Sequence, residues 1–337
     1  MKRGLAICLA FLSLLCLLPG CRKKAEPQTA TLFAMDTVME FTVYGDAEVL
    51  ARAEAIVRET EAKLSVTDAE SELSEWNRGE RDSLSFETVS MLRRALAFCE
   101  RTDGALDITV YPLVRAWGFT TGQYRVPTEK ERSELLSLVD YRTISVDGST
   151  VCKGIEGTEM DFGAITKGEL GNRLVRMLRE SGVQSALLNL GGNVIALGKK
   201  PDGSPWRVAI ADPDGNGYAG ILQVEDASVV TSGGYERNFT ENGVIYHHIL
   251  DPATGFPAES GLLSVTIVGA DGLLCDAMST ACFVMGLDGS IEQWRAYRDF
   301  EAIFLTDKGG IYLTEGLESS FTALDRYADA KVTVIRA

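Results

Sequence analysis

The chain has 337 residues, 45% hydrophobic and 24% charged, with 33 basic against 48 acidic side chains. A formal charge of −15 argues against nucleic acid as a partner. No internal repeat or low-complexity block is visible, and the roughly 305 residues beyond residue 31 are enough to bury a large core.

Lys2 and Arg3 precede an apolar run from Leu5 to Leu18. The run is too short for a membrane span and suits the apolar region of a signal peptide. It ends at Leu18-Pro19-Gly20-Cys21, which resembles a bacterial lipobox. Residues 1–20 are therefore expected to be a cleaved leader and Cys21 the lipidated first residue. Residues 21–31 are expected to be a tether, and 32–337 the folded body. Such a protein is exported and held at a membrane by its lipid. Without the leader, 31 basic residues face 48 acidic ones, so an anionic substrate needs a local device: a metal, a helix N-terminus or a single Lys. Cys99, Cys152, Cys275 and Cys282 show no CxxC spacing; the last two are expected to pack as small hydrophobes.

Thr37–Tyr44 alternates and reads as a strand. Ala47–Leu64 and Ser85–Thr102 have helical periodicity, the second with Ser85 as its N-cap. Thr166–Ser181 is a third helix, ended by Gly182. Strands are expected at Ser185–Leu190, Val194–Leu197, Trp206–Ala211, Ile221–Val224, Ser228–Thr231, Ile245–Leu250 and Leu263–Val268. Two helices follow at Cys275–Met285 and Ile291–Tyr297, then strands at Ala302–Leu305, Gly310–Thr314 and Val332–Ile335. Turn-linked strands with helices in separate blocks predict an α+β fold with mainly antiparallel sheets.

Several segments carry chemistry. Asp161-Phe162-Gly163-Ala164 leads into a helix with Lys167 and Gly168 in its first turn. That arrangement suits a phosphate cradle or a plain strand-to-helix turn. His247 and His248 are the chain's only histidines. On a strand they face opposite ways, which favours a packing role for His247 and a site role for His248. Asp276 and Thr280 lie four apart on a helix, so their oxygens share a face suited to a hard cation such as Mg²⁺. Gly191-Gly192-Asn193 reads as a hairpin, and Thr231 to Arg237 as a hairpin or a close backbone approach.

Taken together these segments resemble the ApbE family of FAD:protein FMN transferases. The resemblance runs from Met35 to about Gly286. It rests on Met35-Asp36-Thr37, Ser71-Glu72-Leu73 through Asn77, Thr102 to Asp107, Trp117-Gly118-Phe119, Asp161 to Gly168, Asn189 to Gly192, Thr231 to Arg237, His248 to Gly255 and Asp276 to Thr280. It implies a two-lobed, T-fold-like body with FAD and Mg²⁺ in the cleft. The metal positions it implies are Asp276, Thr280, Ser279 and the Ala164 carbonyl. The flavin positions are Met35, Thr67, Ala105, Leu106, Asp107, Asp161, Lys167 and Leu250, and His248 stands near the reacting diphosphate.

The implied reaction transfers FMN from FAD to a threonine of an exported acceptor protein and releases AMP. The alternatives are hydrolysis of FAD to FMN and AMP, or FAD binding without turnover. The chain departs from the family pattern at four places. Thr67 stands where a Tyr often covers the flavin, Ser279 where some members are acidic, Gly234 where an Asp is usual, and Glu169 where a Tyr follows Lys-Gly.

Overall fold

The computed structural model describes residues 26–215 and 217–337. The expected leader and Cys21 lie outside these residues. The chain begins with the hairpin β1 (Gln28–Ala34) and β2 (Thr37–Val43), followed by helices α1 (Glu48–Leu64), α2 (Glu72–Arg78), α3 (Phe86–Arg101), α4 (Tyr111–Trp117) and α5 (Glu129–Leu136). A hairpin of β3 (Ile144–Asp147) and β4 (Thr150–Lys153) leads to α6 (Thr166–Glu180), then β5 (Ala186–Leu190), β6 (Val194–Leu197), β7 (Trp206–Ala211), β8 (Tyr218–Val224) and β9 (Ala227–Gly233). A second small hairpin, β10 (Asn238–Glu241) and β11 (Val244–His247), precedes β12 (Leu262–Gly269) and the long helix α7 (Gly272–Tyr297). Four strands close the chain: β13 (Glu301–Thr306), β14 (Ile311–Thr314), β15 (Phe321–Ala323) and β16 (Val332–Ile335).

Nine strands form one sheet in the order β1-β2-β5-β6-β9-β12-β13-β14-β16, antiparallel except for the last pair. A three-stranded antiparallel sheet, β15-β8-β7, packs beside it. The α+β class with mainly antiparallel sheets is thus present. The helix patterns explain themselves. In α1 the buried residues Val49, Ala53, Val57 and Thr60 fall on one stripe; in α6 Leu170, Leu174, Met177 and Leu178 do the same. Both helices cover the β1-β2-β5-β6 half of the large sheet. Strand β7 alternates buried and exposed residues along its length, as a half-buried strand must.

A second body of packing forms from residues 64–165. Trp76, Leu92, Phe162 and Ile165 pack there against Leu273, Ala277 and Ala281 from the first half of α7. Helix α7 is therefore shared: its other side packs on β12 and β13 through Met278, Cys282 and Phe283. Covered on both sides, its first half is buried on every face, whereas the half after Gly286 exposes Asp288, Glu292 and Arg295.

Four expectations need correction. Strand β1 begins at Gln28, inside the expected tether, and pairs with β2 along its whole length; the polar, alternating run Gln28–Thr31 reads as linker by composition, but its partner strand makes it sheet. The expected helices at 275–285 and 291–297 are one helix interrupted at Gly286, whose φ of 74° and ψ of −177° break the ladder at a single residue. Strand β11 ends at His247, so His248 lies beyond the strand. Ser85 occupies the N-cap position of α3 but does not cap it; its hydroxyl donates to the buried Glu72 carboxylate at 2.9 Å.

Candidate active site

The two bodies of packing meet at a cavity of about 650 Å³. Its wall includes Met35, Thr67, Ala105, Leu106, Asp107, Asp161, Ala164, Lys167, His248, Leu250, Asp276 and Thr280. All the site residues implied by the resemblance therefore lie on one cavity, apart from Ser279 and the lipidation residue Cys21.

The close approach of α6 and α7 builds the side of the cavity that carries Asp276. A Cβ on Gly168 would overlap the Gly272 carbonyl and come within 2.7 Å of the Asp276 Cβ. A Cβ on Gly272 would lie 2.5 Å from the Gly168 carbonyl oxygen. Only glycine at both positions allows this approach. It brings the Gly168 N–H to 2.8 Å from Asp276 Oδ2, so the first turn of α6 donates directly to the Asp276 carboxylate. Asn172 staples the two helices: its Oδ1 accepts from the Gly272 N–H at 2.8 Å, and its Nδ2 donates to Asp271 Oδ1 at 2.8 Å. Glu169, on the next face of α6, pairs with Arg94 at 3.0 Å and does not line the cavity.

Asp276 is 5% exposed. Burial raises its pKa; the Lys167 ammonium, the Asn193 side chain and the Gly168 N–H pull the other way. Its position one turn before Thr280 places both oxygens on the cavity, and Ala164 lines the same wall. Among the described residues no group of three His, Cys, Asp or Glu could hold a metal by itself. One buried carboxylate with a hydroxyl and a carbonyl fits Mg²⁺, which keeps positions for water and phosphate oxygens. A cation there would also offset the burial cost that raises the Asp276 pKa.

Ser279 points elsewhere. It is fully buried, and its hydroxyl donates to the Asp276 backbone carbonyl at 2.8 Å and meets Ser232 Oγ at 2.8 Å. Its hydroxyl is used inside the helix packing, and it takes no part in the cavity wall.

Lys167 reaches Gly191, donating to its carbonyl at 3.4 Å. Asp161 accepts from the Gly163 N–H at 2.8 Å, which shapes the turn ahead of α6. Burial raises the Asp161 pKa, opposed by the Gly163 N–H and Arg237. Asp107 is more structural than the sequence implies. Its carboxylate accepts from the Thr109 N–H at 2.8 Å, the Thr109 hydroxyl at 2.6 Å and the Tyr141 N–H at 3.1 Å. These bonds fix residues 105–109 against the cavity, and burial raises the Asp107 pKa.

His248 stands one residue past the end of β11. Its N–H donates to the Arg237 carbonyl at 3.0 Å, and its Nδ1 lies 3.2 Å from the same oxygen. A carbonyl only accepts, so Nδ1 carries the proton and Nε2 is left as the basic nitrogen. Phe119 packs edge-on against the ring at 6.3 Å between centroids. Burial pushes the His248 pKa down to about 4. His247 has the packing role expected of it: it contacts Ala258 O at 3.2 Å and stands edge-on to Phe283. It also fills the space at Gly234, where an added Cβ would lie 2.8 Å from its ring.

Three wall residues were not singled out in the sequence. Glu61 sits at the end of α1, where helical periodicity makes a polar residue look like ordinary surface. Glu236 lines the wall with a pKa raised by burial and lowered by Lys167. Asn193 is 2% exposed and its Nδ2 makes no hydrogen bond, though it lies close enough to Asp276 to favour the ionised carboxylate. Gly191-Gly192-Asn193 was visible as a turn; that its Asn faces a ligand space depends on packing between distant segments.

Comparison with known proteins follows the same lines. The ApbE family profile matches residues 35–304. A FAD:protein FMN transferase of Treponema pallidum is 32% identical, covering 91% of this chain and 92% of its own length. The FAD:protein FMN transferase of Klebsiella pneumoniae is also 32% identical, over 84% of this chain and 90% of its own. The crystal structure of the ApbE protein of Thermotoga maritima superposes with a TM-score of 0.82 at 31% identity, covering 88% of this chain and 99% of that one. The apo flavinyl transferase ApbE of Pseudomonas stutzeri gives 0.78 at 27% identity, covering 89% and 98%. A match over most of the chain in sequence, fold and length leaves one conclusion: the chain belongs to the ApbE family.

Proposed function

We propose that this protein transfers FMN from FAD to a threonine hydroxyl of an acceptor protein. The observation that carries the reading is the single cavity joining Asp276, Thr280, Ala164, Lys167 and His248. Relatives similar to it over most of its length are FAD:protein FMN transferases.

The α6 start and the Lys167 ammonium attract the FAD diphosphate into an otherwise acidic molecule. Asp276, Thr280 and the Ala164 carbonyl would hold Mg²⁺, which supplies charge neutralisation of the diphosphate when bound. His248 Nε2 accepts the threonine proton as the threonine oxygen bonds to the FMN-side phosphorus. The bond from that phosphorus to the bridging oxygen breaks, and AMP leaves with the bonding pair. FMN remains on the acceptor as a phosphoester.

The test is incubation of the protein with FAD, Mg²⁺ and an acceptor protein. The expected result is an acceptor heavier by one FMN at a Thr, with one AMP released per transfer and none in EDTA. AMP release at the same rate without acceptor would refute transfer as the reaction.

The His248 pKa gives a second expectation. His248 is neutral and basic above about pH 4 and loses that capacity as pH falls through this value. The acid limb of kcat/KM that depends on His248 is therefore expected near pH 4, well below the 6.5 of an ordinary His. His248→Gln should remove that limb; a limb near 6.5 would contradict the assignment.

We propose a location from the sequence as well. Lipidation at Cys21 would leave only Arg22 to Pro27 between the membrane and β1. The enzyme would then work close to the membrane, in the periplasm or on the outer face of the cytoplasmic membrane, on exported or membrane-bound acceptors. Retention of the intact chain in the membrane fraction, and its release by Cys21→Ser, is the check.

A further inference from the structure

The β1–β2 hairpin turns through Met35 and Asp36, and both have positive φ, 50° and 58°. Two-residue hairpin loops of this kind normally use Asn-Gly or Gly-Gly, because side chains resist the left-handed region. Here neither central residue is glycine, and both line the cavity. Strain of this sort persists only where the surroundings over-determine the conformation.

The surroundings are specific. Glu61 Oε1 accepts from the Met35 N–H at 2.6 Å. Arg58, one turn earlier in α1, donates to the Phe33 carbonyl at 2.8 Å and to Glu61 Oε2 at 3.3 Å. Glu61 thus grips the N–H of the tip residue Met35, and Arg58 the carbonyl of Phe33 near the end of the strand that leads into it. From the opposite side Gly191 packs against Thr37, where an added Cβ would lie 2.7 Å from the Thr37 Cβ. Gly191 is in turn the carbonyl that Lys167 holds.

We infer that Glu61 is a positioning residue for FAD: it holds the strained Met35–Asp36 turn in the shape that forms one wall of the cavity. This rests on the FMN-transfer reading for the identity of the ligand, and on the turn geometry alone for the mechanism. A relaxed turn would move Met35 away from the ligand and cost affinity, while the reacting groups at Asp276 and His248 keep their places.

Three variants test it. Glu61→Ala is expected to raise Kd and KM for FAD roughly tenfold or more, with kcat within about twofold. Glu61→Gln keeps an oxygen that accepts from the Met35 N–H and should stay near the parent. Adding Asp36→Gly to Glu61→Ala relieves the left-handed strain and should restore most of the lost affinity. In the ligand-free protein, the Met35 amide should lose hydrogen-exchange protection in Glu61→Ala and keep it in Glu61→Gln. Equal loss of FAD affinity in the Ala and Gln variants would overturn the proposal, because it would make the charge and not the hydrogen bond the operative feature. Unchanged Met35 protection in Glu61→Ala would overturn it too. If the parent fails to bind FAD, the functional reading falls, while the exchange measurement still decides whether Glu61 holds the turn.

Discussion

Asp276→Ala is expected to abolish FMN transfer while leaving a folded protein. The carboxylate is the only acidic side chain in the Asp276, Thr280 and Ala164 set that lines the cavity. Charge neutralisation of a diphosphate by a bound cation is worth several kcal/mol, and every 1.36 kcal/mol is tenfold in rate. A loss of roughly 10³-fold or more in kcat/KM is the expected scale. Asp276 also accepts the Gly168 N–H, so Ala confounds two effects. Asp276→Asn separates them, since its amide oxygen can keep that hydrogen bond and its charge is gone. Both variants should be inactive, and Asn should keep a melting temperature closer to the parent. Robust transfer by Asp276→Asn would show that the charge is dispensable and would remove the metal reading of this residue.

Gly168→Ala should give a large loss of stability from a single methyl group. The added carbon has no room: it would overlap the Gly272 carbonyl and lie 2.7 Å from Asp276 Cβ, and both neighbours are main chain or rigidly placed. Overpacking of this kind costs about 3 kcal/mol or more where backbone must move. In a chain of this size that lowers the melting temperature by roughly 4 to 5 °C or more. Any relief requires α6 and α7 to separate, which shifts Asp276 and Thr280 relative to Ala164 and Lys167. A misplacement of about 1 Å can cost two orders of magnitude in rate. Gly182→Ala is the contrast: nothing lies within 4 Å of its would-be Cβ, and only its φ of 79° opposes the change. Similar melting temperatures for Gly168→Ala and the parent would show that the helices have slack the geometry denies.

Local pattern carried most of the fold. Strand β7 and helices α1 and α6 follow from periodicity almost to the residue, because each has one buried and one exposed face. Pattern fails where burial is two-sided or partnership is remote. The first half of α7 is buried on every side, and the single-residue break at Gly286 reads in the sequence as a longer gap. Strand β1 became legible only through β2, and the short helices α2, α4 and α5 are too brief to show a period. The site divides the same way. Asp276 and Thr280 were readable from their spacing, and Lys167 from its place in a first helical turn. Glu61, Glu236 and Asn193 acquire meaning only when segments far apart in sequence close around one cavity. Ser279 shows the converse: adjacent to a site residue in sequence, it turns into the helix packing instead.

The bond between the Gly168 N–H and Asp276 spans 108 positions in the chain. Half of the anion-attracting wall is therefore made early in synthesis and its carboxylate partner late, and neither half is a site alone. Ligand occupancy becomes a thermodynamic report on completed tertiary structure. A molecule that binds only the closed arrangement stabilises it by RT ln(1 + [L]/Kd), about 2.7 kcal/mol at a hundredfold excess over Kd. Substrate supply and folding yield are coupled in such a protein, so flavin-starved cells would be expected to hold less of it in the native, protease-resistant state.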